Sequence, residues 1–144
     1  MPIYGVGSKW EDEELKGRFF EEEKFILGWN EPTAKDIYSA VSTIKVGDIL
    51  YIKANQPGTR RIRVKAVGIV TKNFMNCFND GQFGDVNYSD WESLFIKVKW
   101  VYQDEFIINI PDNEGKLTNY RAATFYEEFL PLVQEKILEK IFNV

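Results

Sequence analysis

The chain has 144 residues, 44% hydrophobic, 28% charged and 15% aromatic, with 18 basic against 22 acidic side chains and a net charge of -4. That much apolar mass at so modest a charge predicts one folded domain over residues 1–144 and excludes a disordered chain. With no histidine and a single cysteine, Cys77, the chain alone cannot build a Cys/His zinc site, a Ser-His-Asp triad, a Cys-His dyad or an internal disulfide.

In chain order, Met1-Pro2-Ile3-Tyr4 lacks the basic start and apolar stretch of a signal peptide. No later apolar run approaches the roughly 20 residues of a spanning helix, so the expected location is the cytoplasm. Ile3 to Gly7 predicts a short strand running into a glycine turn. Gly5-Val6-Gly7 is a GxG fragment without the third glycine of a dinucleotide loop, and no GxxxxGK[ST] phosphate loop occurs. Nucleotide-cofactor chemistry is therefore not expected, and no cofactor or metal is assigned. An acidic helix is predicted over about 12–20, ended or interrupted near Gly17, with the runs Glu11-Asp12-Glu13-Glu14 and Glu21-Glu22-Glu23 read as a solvated face. Phe25 to Trp29 predicts a buried extended run, closed by Asn30-Glu31-Pro32.

Thr33-Ala34-Lys35-Asp36 has capping-box spacing in an acidic form, and Ala34, Ile37, Val41 and Ile44 recur at three- and four-residue steps, predicting a helix of two turns or more. Lys45-Val46-Gly47-Asp48 predicts a turn in which Asp48 bonds its own neighbouring amides. Ile49 to Ala54 is rich in β-branched and aromatic residues and predicts a strand. After a turn at Gln56-Pro57-Gly58-Thr59, Arg61 to Val70 predicts a second one. Its alternation places Arg61, Arg63 and Lys65 on one face and Ile62, Val64 and Ala66 on the other. Between Lys53 and Lys72 stand six basic residues and no acidic one, leaving 12 basic and 22 acidic elsewhere. One surface is expected to be positive on an otherwise acidic protein.

Residues 73–93 read as a long polar and aromatic loop, a type that often carries function. Leu94 to Tyr102 predicts a strand with Leu94, Ile96, Val98, Trp100 and Tyr102 on one face, which assigns Trp100 to the core. Phe106 to Ile110 predicts another strand and Asp112-Asn113-Glu114-Gly115 a turn. Thr124-Phe125-Tyr126-Glu127 repeats the capping-box spacing ahead of Phe129, Val133, Ile137 and Ile141, with Pro131 bending that helix or opening a new first turn. Five or six strands among three helical stretches predict an α+β domain: a strongly curved mixed sheet forming a partly open barrel flanked by helices.

The segment Ile44-Lys45-Val46-Gly47-Asp48-Ile49-Leu50-Tyr51-Ile52-Lys53, followed by Val64-Lys65-Ala66-Val67-Gly68-Ile69-Val70, resembles the central strands of the PUA-like superfamily, most of all EVE domains and the related YTH domains. Gly5-Val6-Gly7-Ser8-Lys9-Trp10, Gly28-Trp29 and Tyr120-Arg121-Ala122-Ala123-Thr124-Phe125-Tyr126 agree with the flanks. The resemblance implies a PUA-like β-barrel reader without catalytic activity, which takes one base, often a modified one, out of DNA or RNA. It further implies a restriction or defence context, with an effector domain or protein partner, and no membrane association.

Such a reader needs aromatic faces to replace lost stacking, worth roughly 1–3 kcal/mol per base, polar groups for the base edge, and cations for flanking phosphates. Trp10 and Trp29, with Tyr4 and Trp91 behind them, are the candidate walls. Ser8, Asn30 and the backbone from Gly5 to Ser8 are the candidate polar readers. Lys53, Arg61, Arg63, Lys65 and Arg121 are the candidate phosphate contacts. Core packing is the alternative role for any of these aromatic residues, and protection of an edge strand is the alternative for the cations. Two other functions compete. One is a protein-interaction or regulatory module using residues 11–23 or 73–93. The other is a metal-dependent nuclease using Asp80, Asp85, Asp90 and Glu92, whose spacing matches no known motif.

Overall fold

The computed structural model describes residues 2–10, 13–26, 39–54, 60–81, 95–113 and 125–142. In chain order its elements are β1 (Ile3–Val6), β2 (Lys9–Trp10), β3 (Glu13–Glu14), α1 (Lys16–Glu22), β4 (Lys24–Ile26), β5 (Ile49–Ala54), β6 (Arg61–Lys72), α2 (Phe74–Asn79), β7 (Phe95–Tyr102), β8 (Phe106–Asn109), β9 (Phe125–Glu127) and α3 (Pro131–Phe142). The fold is α+β. Seven strands belong to one mixed sheet, hydrogen-bonded in the order β4-β7-β6-β5-β1-β9 with β8 against β6, while β2 and β3 form a separate pair. Among the described residues no pairing joins β9 back to β4, so the sheet does not close. No helix among them is long and apolar enough to cross a membrane.

Two compact units divide the chain. The first comprises Met1–Ser8, Asp48–Gly68 and Trp100–Val144. Its centre is β1, which runs parallel to β5 (Ile3 opposite Ile49, Val6 opposite Ile52) and antiparallel to β9 (Tyr4 opposite Glu127, Val6 opposite Phe125). A parallel neighbour cannot follow through a tight hairpin, which is why more than forty residues separate β1 from β5. The start of β6 pairs antiparallel with β8. Helix α3 contributes Val133 and Ile137, four residues apart and fully buried, to a core containing Ile3, Ile49, Val64 and Ile108.

Pro131 is the first residue of α3 and not a bend within it. Its missing N–H lies among those a first turn leaves unbonded anyway. Thr124 lies outside the described residues, and Phe125–Glu127 of the expected capping box is strand β9; the Glu128 carboxylate accepts the Leu130 N–H (3.2 Å) just ahead of the first turn. Phe129 therefore falls outside the helical repeat and is 69% exposed.

The second unit comprises Lys9–Gly47 and Ile69–Lys99. Helix α1 begins at Lys16 and contains Gly17, where the sequence predicted an end. It stops at Glu23, which adopts a left-handed conformation (φ 52°). Phe19 on its inner face packs edge-on against Phe25 of β4, centroids 5.7 Å apart. Residues 39–41 are helical, and Val41 and Ile44 are buried as the three-residue step requires; residues 31–38 lie outside the described residues. Gly47 takes the positive φ (95°) that its turn needs and donates its N–H to the Val70 carbonyl (2.9 Å). The stretch expected to be loop from residue 73 instead opens with α2. Asn73 accepts the Asn76 N–H and Asn76 returns the bond, a capping box built from two asparagines.

Candidate functional site

Three polar groups are buried side by side within the first unit, and the geometry begins at Gly5. In register, Gly5 lies between Tyr51 of β5 and Tyr126 of β9. The two tyrosine rings meet edge-on, 6.1 Å between centroids, with their hydroxyls 2.6 Å apart. A Cβ on residue 5 would stand 2.4 Å from Cζ of Tyr126, so glycine is what allows that ring to cross β1. Tyr51 donates its hydroxyl to Oε1 of Glu128 at 2.8 Å, which leaves Tyr126 to donate to Tyr51. Burial above all, then the neighbouring Tyr126 and Glu128, hold the Tyr51 hydroxyl well above its ordinary pKa. The chain of hydroxyls ends on a carboxylate, and its members are mutually satisfied.

Lys53 lies two residues beyond Tyr51 on the same face of β5, with Nζ 5.6 Å from the Tyr126 ring centroid. Lys65 of β6 donates to Oγ of Ser8, just past β1, at 3.3 Å. In the folded chain Lys53 is 6%, Lys65 7% and Ser8 1% exposed. Burial first, and the charge of Lys65 second, bring the Lys53 ammonium down from its ordinary value to about 8. Both causes act in the same direction.

The predicted cations thus separate. Arg61 and Arg63 are exposed near the start of β6, whereas Lys65, two residues further on, is buried. Strict alternation of exposure holds only from Arg61 to Val64; from Val64 to Gly68 every residue is buried, the signature of a strand covered on both faces. Arg63 is already engaged by both carboxylate oxygens of Glu105 (2.9 and 2.9 Å).

Tyr4 is 5% exposed and stacks on Phe125 at 5.3 Å and 17°. Trp10 pairs with Glu13 in the β2–β3 ladder. Trp29, Asn30, Trp91 and Arg121 lie outside the described residues, as do Asp85, Asp90 and Glu92. Asp80 forms an ion pair with Lys72, and no group of three metal-ligating side chains gathers among the described residues. Trp100 is buried, as its strand parity predicts. Burial pushes the Cys77 thiol up, away from the thiolate a nucleophile needs.

Sequence reasoning missed Tyr51, Tyr126 and Glu128. A signal existed for Tyr51, which shares strand parity with Lys53. None existed for Glu128, whose carboxylate meets Tyr51 only through the β9–β1–β5 order. No protein-family model matches the chain, and no curated protein matches it.

Proposed function

We propose that the chain is a non-catalytic nucleic-acid-binding module of the PUA-like, EVE or YTH type, its sheet curved into a partly open barrel. It reads a modified base drawn out of DNA or RNA, in a restriction or defence setting. The observation that carries this reading is the division of cations within one unit. Arg61 and Arg63 are exposed at the start of β6, Arg63 bonded to Glu105, while Lys53, Lys65 and Ser8 of the same unit are buried, an outer set for a polyanion's backbone and an inner set for something inserted. An extruded base offers polar edges that such an interior can bond, offsetting the few kcal/mol that unstacking costs.

The test is a titration with short oligonucleotides, unmodified and carrying modified cytosine or adenine, at about 50 and 200 mM salt. Saturable tryptophan quenching that weakens steeply with salt and tracks the modification is the expected result. No quenching with any oligonucleotide would turn the reading toward a protein-interaction module, and divalent-dependent cutting would revive the nuclease.

A further inference from the structure

Helix α3 buries one face through Val133 and Ile137, with Ile141 packed against the same core. The opposite face of an amphipathic helix is ordinarily polar. Here Pro131, Leu138 and Phe142 follow one another at steps of seven and four, which places them on one side of the helix, away from Val133 and Ile137. Pro131 is exposed and Phe142 is 55% exposed. Along this side runs an open cleft of about 490 Å³ lined by Pro131, Gln134, Glu135, Leu138 and Glu139. Gln134 is fixed in that lining by donating its side-chain amide to the Glu128 carbonyl (2.9 Å).

The charge of the cleft is negative. Glu135 is exposed, and among the described residues it makes no hydrogen bond or ion pair. Glu139 meets Lys136 at 3.9 Å, a surface pair too weak to neutralise it. Lys140 directs its ammonium over the Tyr102 and Phe106 rings, 5.1 and 4.8 Å from their centroids, and not into the cleft.

Shape and charge together select the occupant. From Pro131 to Phe142 the strip is about 16 Å long at the helical rise, three turns, which suits a second helix laid along it. A second copy of this chain is disfavoured, because a two-fold contact brings the same two carboxylates from each side between molecules of net charge -4. A cationic partner answers both glutamates. We infer that this face of α3 docks a basic amphipathic helix of a partner protein, its apolar residues at i, i+4 and i+7 against Pro131, Leu138 and Phe142, and its Lys or Arg residues beside Glu135 and Glu139.

The experiment titrates the full chain, followed by NMR of its backbone amides, with three synthetic helical peptides. The first has leucine at i, i+4, i+7 and i+11 flanked by lysines, the second replaces those lysines by glutamates, and the third scrambles the first. The basic peptide is expected to shift the amides of residues 131–142 and to bind about tenfold tighter than either control. Glu135→Lys/Glu139→Lys, which alters two surface positions, is expected to reverse the preference between the basic and acidic peptides. Equal affinity for the basic and acidic peptides overturns the inference, as does equal affinity for the scrambled one, and so do shifts confined to residues outside α3. A peptide-free chain that sediments as a dimer through α3, dissociated or tightened by the double variant, overturns it in favour of a second copy. The peptide comparison uses the unaltered chain, so a variant that does not fold leaves the inference open to refutation.

Discussion

Two sets of buried polar side chains share strand β5, through Tyr51 and Lys53, and they differ in kind. Tyr51, Tyr126 and Glu128 form a closed sequence of donors and acceptors in which burial is compensated. Lys53 and Lys65 bring two like charges into the same interior, and Lys53 yields by giving up its proton near pH 8. A satisfied network rigidifies a core, whereas burying an ammonium beside a like charge costs stability. The first group is a bonded network, and the second holds a lysine whose proton burial makes easier to lose.

The largest effect should come from Gly5→Ala, which forces a methyl into the Tyr126 ring. It is expected to cost about 3 kcal/mol, the upper end for overpacking, read from urea denaturation. A loss below about 0.5 kcal/mol would mean that the ring moves aside freely and that the network is not fixed by the glycine. Tyr51→Phe should cost about 1–3 kcal/mol, because Glu128 and Tyr126 each lose a buried partner. A neutral result would place water where the hydroxyl was and dissolve the contrast between the two groups.

Lys53→Met should act in the other direction, raising stability by about 1 kcal/mol at neutral pH while weakening oligonucleotide binding. The same contrast predicts a pH dependence. The unfolded chain keeps the Lys53 proton up to the ordinary lysine range, and the folded chain releases it around 8. Above about 8 the unfolded state therefore binds more protons, and the Lys53 contribution makes stability rise with pH until the unfolded lysine also titrates. Tyr51 opposes this above pH 10, where the folded state holds a proton that the unfolded state loses. Thermal melts across pH 7–10 should show the rise in the parent chain and a flatter profile in Lys53→Met; parallel profiles would remove Lys53 from the explanation.

Arg63→Ala should be the mildest change. Its pair with Glu105 is surface-exposed, and its removal should alter stability by less than about 1 kcal/mol. In the proposed reader it should lower the salt slope of oligonucleotide binding by about one. An unchanged slope would leave Glu105 as the only partner Arg63 serves.

Strand β5 was legible to the residue, because five of its six positions are β-branched, aromatic or aliphatic and stand between a glycine turn and a polar segment, which leaves little else to form. Helix α2 was not, because a six-residue helix carries too little periodicity and its asparagine capping box lacks the usual acidic partner. Strand β9 was misread as a cap since Thr-x-x-Glu spacing is shared by helix starts and ordinary extended chain, and only its pairing with β1 separates them. Of the candidate cations, the residue types and strand were readable but the burial of Lys65 was not: alternation specifies which side a residue faces, not whether that side is covered.

The sequence by itself determined the α+β class, the central β5–β6 pattern and the chemistry that is absent, since composition and local periodicity act through near neighbours. Tertiary structure alone decided that Gly5 lies between two tyrosines, that Glu128 answers Tyr51, and that Lys53 and Lys65 share an interior. Those contacts join residues 12 to more than 100 positions apart, and the order of strands in a sheet, which no local propensity encodes, is what brings them together.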